Sequence, residues 1–130
     1  MLNLNFALVC DSFIPGERSK YSLIEIFDKL IAKNELPASR LRTAVVVGTS
    51  GRAGTYTEHI QIVNQETEEV IMEATGEVTI DKDGSRNVFV ANFLGLSFPN
   101  YGKYWIKVTI DGQEEPLTDP NKHYVEVSED

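Results

Sequence analysis

A chain of 130 residues, 42% hydrophobic and 25% charged, can fold as one domain over residues 1–130 but is too short for two. The formal charge of −8 disfavours nucleic acid as a partner, and no run of 18 apolar residues exists to span a membrane. The single cysteine excludes an intrachain disulfide and favours a reducing compartment, so we expect a cytoplasmic protein.

The acidic charge is concentrated in the second half of the chain. Residues 1–55 carry seven Lys/Arg and five Asp/Glu, whereas residues 56–130 carry five Lys/Arg and fifteen Asp/Glu. This half would attract a basic partner protein or a cation, although surface charge of this size also serves solubility alone.

The N-terminal apolar residues stand at every second position, which is the spacing of a β-strand: Leu2, Leu4, Phe6, Leu8 and Cys10. This pattern predicts a strand over residues 2–13 in which the Cys10 thiol lies among core residues, buried and unreactive. The Pro15-Gly16 pair then predicts a turn into a second strand over residues 20–32. Residues 36–40 interrupt the pattern, and we expect a short helical turn there.

The remainder of the chain reads as short strands separated by turns. We expect strands over residues 41–48, 56–63, 69–80, 87–98, 103–111 and 123–127. The segment 69–80 alternates most clearly, since its even positions are apolar or small and its odd positions are mostly Glu and Thr. About seven or eight strands predict an all-β fold, an antiparallel β-sandwich of Greek-key, immunoglobulin-like type.

Gly102 and Tyr104 bear on the topology of this sandwich. In the tyrosine corner of Greek-key sandwiches, a Tyr near the start of a strand bonds its hydroxyl to the upstream backbone. Gly102 would permit the tight bend, and a buried Tyr104 needs such a partner for its hydroxyl. We therefore predict a tyrosine corner, a feature that concerns the fold and carries no activity.

Three segments together resemble a known family: the opening NFALVCDS of residues 5–12, the segment IEIFD of residues 24–28, and the closing pattern GxYxxxVxIDG of residues 102–112. They are similar to a family of short, uncharacterised bacterial proteins that consist of a domain of unknown function. The resemblance extends over nearly the whole chain, and it implies a stand-alone bacterial domain with no assigned activity.

Two acidic loops are candidates for calcium. Asp81 and Asp83 alternate before a glycine, and alternating carboxylates can converge on a hard cation. The later residues that an EF-hand requires are missing, so a hairpin turn is the favoured interpretation. Asp111 and Glu114 of a second loop would join the site only if both loops lie at one end of the sandwich.

Catalytic groups do not converge in the sequence. His59 and His123 form no pair at the spacing of a zinc site, and no nucleophile elbow surrounds Ser12 or any other serine. A Cys10–His59 pair would require a reactive thiol, which the strand pattern disfavours. We expect no catalytic residue, no cofactor and no enzyme.

Trp105 is the strongest candidate contact residue. It points away from the core face of its strand, so with Tyr101 or Tyr56 nearby it could stack on a sugar or anchor a partner protein. A loop, a terminal strand or a second protomer could equally cover it. We expect a non-enzymatic structural or protein-interaction domain of a bacterial cytoplasmic protein, with another protein or a second copy as partner. The copy would bind through an edge strand or the Trp105 face. The alternative is a ligand-binding module for carbohydrate or calcium.

Overall fold

The computed structural model describes all 130 residues and contains nine strands and no helix. The strands are β1 (Leu2–Pro15), β2 (Tyr21–Ile26), β3 (Lys29–Ile31), β4 (Ala38–Gly51), β5 (Gly54–Asn64), β6 (Val70–Ile80), β7 (Arg86–Phe98), β8 (Gly102–Ile110) and β9 (Tyr124–Ser128). They form a four-stranded sheet in the order β2-β1-β4-β7 and a five-stranded sheet in the order β3-β9-β8-β5-β6. Every pair is antiparallel except β3–β9. The predicted β-sandwich is confirmed, and none of its elements is a helix able to cross a bilayer.

The strand order is of the immunoglobulin type. Strands β1, β4 and β7 correspond to A, B and E of that fold, and β5, β8 and β9 correspond to C, F and G. The predicted tyrosine corner lies at the start of β8, where strand F would begin. The Tyr104 hydroxyl donates to the Asn100 carbonyl and accepts the Asn100 N–H, both at 3.0 Å. Gly102 has φ +121°, a conformation that side-chain-bearing residues rarely adopt.

The core lies between the two sheets and follows the predicted alternation. In β8 the even-numbered residues are at most 2% exposed: Tyr104, Ile106, Val108 and Ile110. Tyr104, Ile106 and Val108 pack with the inward residues of β4 in one continuous cluster, and Ile110 packs in a second, smaller cluster with residues of β1 and β6. The Phe98 ring stands edge-on to Tyr104 at 4.9 Å between centroids, closing this end of the core.

The predicted second strand is two strands in different sheets. The Phe27 N–H donates to the Val9 carbonyl of the four-stranded sheet, whereas the Asp28 carbonyl accepts the Glu126 N–H of the five-stranded sheet. The chain therefore changes sheets at Phe27–Asp28, and β3 begins at Lys29. The helical turn expected over residues 36–40 is wrong, because β4 already starts at Ala38.

A bulge in β1 changes which face its residues occupy. The register of β1 against β4 shifts between Leu4 and Phe6. Leu4 therefore packs against the main core, while Phe6 packs with Cys10 in a separate cluster. Cys10 is fully buried, as predicted, but it does not lie among the inter-sheet residues. It lies on the outer face of the four-stranded sheet.

The β1–β2 hairpin covers this outer face. Strand β1 pairs with β4 only as far as Cys10 opposite Ala44, and beyond that point it pairs with β2 alone. The free part of the hairpin, residues 11–26, is called the flap here. Phe13 and Leu23 of the flap pack against Cys10, Ala44 and Val46, which are fully buried although they lie outside the inter-sheet core.

Candidate functional site

Trp105 lies on the outer face of the five-stranded sheet, the side that its register predicts, and is half-buried. Its Nε1–H donates to Thr118 Oγ1 at 3.2 Å, and Lys107 Nζ lies 5.4 Å from the ring centroid. Thr118 Oγ1 also accepts the Val108 N–H at 3.0 Å, so the loop that follows β8 lies beside the indole. The polar atom of Trp105 is therefore already bonded within the chain.

The other two predicted aromatics do not join Trp105. The Tyr101 hydroxyl donates to the Ala32 carbonyl at 2.8 Å, and its ring packs against the main core. Tyr56 donates to the Arg52 carbonyl at 2.7 Å, near the start of β5. Trp105 lies opposite Val63, seven residues further along β5, a separation of roughly 24 Å at strand rise. No shared aromatic platform results.

The two acidic loops do lie at the same end of the sandwich. Met1 lines one cavity with Asp83 and an adjoining cavity with Asp111 and Glu114. Asp83 accepts the Ala53 N–H at 2.8 Å, and Asp111 Oδ1 lies 2.7 Å from His59 Nε2. The carboxylates do not converge, since no three His, Cys, Asp or Glu side chains are grouped closely enough to hold a metal ion. Asp81 is exposed in the turn that also contains Asp83.

A cleft lies between the flap and the outer face of the four-stranded sheet, and it is called the flap cleft here. Its volume is about 550 Å³, within the usual size range of small-molecule sites. One wall comes from the flap and the other from β1, β4 and β7. The lining residues are Asn5, Phe6, Phe13, Ser19, Lys20, Tyr21, Gly48, Arg86, Asn87 and Val88.

Aromatic rings supply most of the apolar surface of the flap cleft. The Phe6 ring lies directly on the backbone of Gly48, where a side-chain Cβ would overlap its ring carbons. Phe13 and Tyr21 stack with 5.3 Å between centroids and 29° between planes. Gly48 is thus required for the close approach of β4 to Phe6, and the stacked pair stiffens the flap wall.

The charged side chains of the flap cleft are both cationic. Lys20 comes from the flap and Arg86 from the start of β7, and no Asp or Glu lines the cleft. The one Lys or Arg that pairs with a carboxylate is Arg40, which contacts Asp11, so neither cleft cation is neutralised by an ion pair. In a protein of net charge −8, this is a local reversal of sign.

A smaller cavity of about 270 Å³ opens where the chain changes sheets. Ile106 and Phe27 contribute to its apolar lining, and Asp28 and Lys122 contribute opposite charges. His123 also lines it, with Nδ1 accepting the Asp119 N–H at 2.9 Å, so this nitrogen is unprotonated in the bond. The cavity has no single sign of charge, unlike the flap cleft.

Glu58 is a buried carboxylate that the sequence analysis missed. It is fully buried on β5 opposite Ile110 and Gly76, and both carboxylate oxygens lack a hydrogen-bond partner. Burial raises its pKa from the ordinary 4.5 to about 7. The signal in the sequence was its position, since Glu58 shares the inward register of Ile60 and Ile62.

The fold and these sites define an immunoglobulin-type β-sandwich with a hairpin flap over one outer face. Residues 5–119 match a family described as a family of unknown function (DUF6941), and the chain belongs to that family. The resemblance to an uncharacterised domain family is thereby confirmed. No curated protein matches the chain.

Proposed function

We propose that the chain is a non-enzymatic protein-interaction domain that forms a homodimer through the free edge of β2. The observation that supports this most directly is the exposure of aliphatic side chains on the flap. Ile14, Ile24 and Ile26 are 50%, 43% and 55% exposed, on a hairpin whose second strand has no neighbour on its outer side. An unpaired apolar edge is a template for pairing with another strand.

The other three sheet edges carry features that oppose pairing. Glu73 and Glu77 place charge along β6, and β3 has only three residues. Strand β7 contains Gly95, whose φ of +70° departs from extended geometry and distorts this edge. Strand β2 contains no Lys or Arg, and its one charged residue, Glu25, has φ +52° near the end of the strand. The regular segment available for pairing is therefore Tyr21–Ile24.

The charge distribution favours a second copy at this edge. Residues 11–26 carry three acidic and two basic side chains, so two flaps meet with little net repulsion. Two antiparallel β2 strands related by a twofold axis would pair the same residues from each copy, as closed dimers require. The strongly acidic loops of the five-stranded sheet lack this neutrality.

The absence of catalysis is part of the proposal. His59 lies 3.0 Å from the Thr75 hydroxyl and 2.7 Å from Asp111, but this group is on the exposed outer face of the sheet, and no cavity described above is lined by His59 or Thr75. The His123 Nδ1 accepts a backbone N–H. Burial raises the pKa of the Cys10 thiol, which opposes formation of the reactive thiolate. A bacterial cytoplasmic setting is consistent with a single buried cysteine.

Size-exclusion chromatography with light scattering tests the dimer directly. We expect the mass of two chains for the wild type and of one chain for Ile24→Lys, because the substitution places a charged side chain on the pairing segment of each copy. Thr79→Lys, an exposed change on the outer face of β6, is the matched control and should remain dimeric. A wild-type monomer at all accessible concentrations would refute the proposal.

A further inference from the structure

We propose that the flap cleft binds a small apolar carboxylate, a ligand with an alkyl or aryl body and one anionic group. Tyr21 lines this cleft and also begins the β2 edge, but binding in the cleft does not require the dimer. It also differs from the Trp105 face and the acidic loops, which are the candidate sites for the alternative ligands carbohydrate and calcium.

The apolar part of the ligand is indicated by the walls of the cleft. Phe6, Phe13, Tyr21 and Val88 line a space of about 550 Å³ that no side chain of the protein fills. Rings held by stacking and by contact with Gly48 offer a rigid apolar surface at small entropic cost. Burying alkyl or aryl surface against them is the main source of affinity.

The anionic part is indicated by the two cations. Lys20 and Arg86 project from different walls of one cleft, have no ion-pair partner and meet no lining carboxylate. One carboxylate group can accept hydrogen bonds from an ammonium and a guanidinium together. Asn5, Ser19 and Asn87 add polar groups at the same site, which suits a hydrated head group.

A free small molecule fits this arrangement better than a chain segment. The flap closes one side of the cleft and the sheet closes the other, and both cations belong to this one space. A bound peptide would need backbone hydrogen bonds along an edge strand. The edge strands β2 and β7 contribute only their first residues to the cleft, which is too little for strand pairing. We therefore assign the ligand as a free carboxylate, and a peptide is a contrary outcome of the test.

The test is a titration of the full chain, followed by ¹H–¹⁵N NMR, with octanoate and 4-phenylbutyrate as probes. Each carboxylate is compared with its neutral amide, which has the same apolar body, and with acetate, which has the same head group. We expect the carboxylates to bind with shifts at Phe6, Lys20 and Arg86, and to bind about tenfold more tightly than the amides. This comparison uses the wild-type protein, so it does not depend on any variant folding.

Two variants locate the binding energy. Lys20→Gln with Arg86→Gln should weaken octanoate binding about tenfold, while Lys107→Gln, a basic residue on the other sheet, should leave it unchanged. The proposal is overturned if amides bind as tightly as carboxylates, if acetate alone binds equally well, or if shifts concentrate at Trp105. It is also overturned if no probe binds at concentrations of about 10 mM, or if an acidic peptide ending in Phe binds more tightly than octanoate.

Discussion

Glu58→Gln is expected to make the protein more stable at neutral pH and to remove part of its pH dependence. Glu58 is fully buried, its oxygens have no partner, and its register neighbours Gly76 and Ile110 carry no charge. The native state therefore favours the protonated acid, while the unfolded chain ionises with the ordinary pKa of 4.5. Protons are bound more tightly by the folded form, so ionisation opposes folding.

The magnitude follows from the two pKa values. The folded value of about 7 exceeds the ordinary value of 4.5, and each unit corresponds to about 1.4 kcal/mol. The contribution of Glu58 to the free energy of unfolding is complete below pH 4.5 and falls as the pH rises. At pH 7 the free energy of unfolding is lower by about 3 kcal/mol than at low pH because of this group. This loss is a large fraction of the roughly 5–15 kcal/mol that stabilises a typical domain.

Urea denaturation between pH 4 and 8, followed by Trp105 fluorescence, measures this effect. The free energy of unfolding of Glu58→Gln minus that of the wild type should rise by about 3 kcal/mol across the interval. Other carboxylates titrate in both proteins, so the difference isolates position 58. Glu77→Gln, an exposed change on β6, should instead follow the wild-type curve. Parallel curves for Glu58→Gln and the wild type would refute the buried, unpaired carboxylate.

Two substitutions and one reactivity measurement test the core and the flap. Gly76→Ala should destabilise the protein by about 1–3 kcal/mol, because the added Cβ would lie 2.6 Å from the Phe89 ring; chemical denaturation measures this. Tyr104→Phe should cost about 1–2 kcal/mol in the same assay, since the hydroxyl bonds both polar backbone groups of Asn100. Cys10 should react with a thiol reagent only when the flap opens, because the thiol is fully buried and burial raises its pKa; its rate at pH 8 is the readout.

Each of these predictions has a control. Thr79→Ala changes an exposed residue of β6 and should leave stability within about 0.5 kcal/mol, and a similar result for Gly76→Ala would contradict the close packing. Tyr124→Phe removes a hydroxyl that makes no hydrogen bond within the chain. If Tyr124→Phe and Tyr104→Phe lower the stability equally, the hydroxyl bonds of the tyrosine corner do not stabilise the fold. If the Cys10 thiol reacts as fast as in urea-unfolded protein, the flap does not cover it.

The alternation of β8 predicted its structure because one face packs on the core and the other faces solvent. Tyr104 and Ile106 are buried and Lys107 lies on the outer face, as period-two spacing requires. The tyrosine corner was also predictable, since Gly102 and Tyr104 satisfy a local backbone geometry. Residue spacing and turn geometry were enough to predict the structure wherever residues close in sequence determine the conformation.

The flap cleft was not predictable from the sequence, because residues far apart in the chain create it. The bulge at Phe6 reverses the facing of Cys10, and a period-two pattern gives no indication where such a shift falls. Lys20 and Arg86 come together only through the folding of the hairpin over β7. Glu58 could have been suspected from its inward register, but its lack of partners required the packed interior.

The flap cleft and the buried cluster beneath the flap have one cause, which is the departure of β1 and β2 from regular geometry. The bulge after Leu4 turns Phe6 outward, and loss of pairing beyond Cys10 frees the hairpin. Arg18 and Ser19 then close its turn with φ of +54° and +64°, a conformation that costs about 1 kcal/mol or more per residue. Burial of apolar residues beneath the flap offsets this strain. The buried cluster and the cleft beside it therefore both follow from the way β1 and β2 leave the regular sheet.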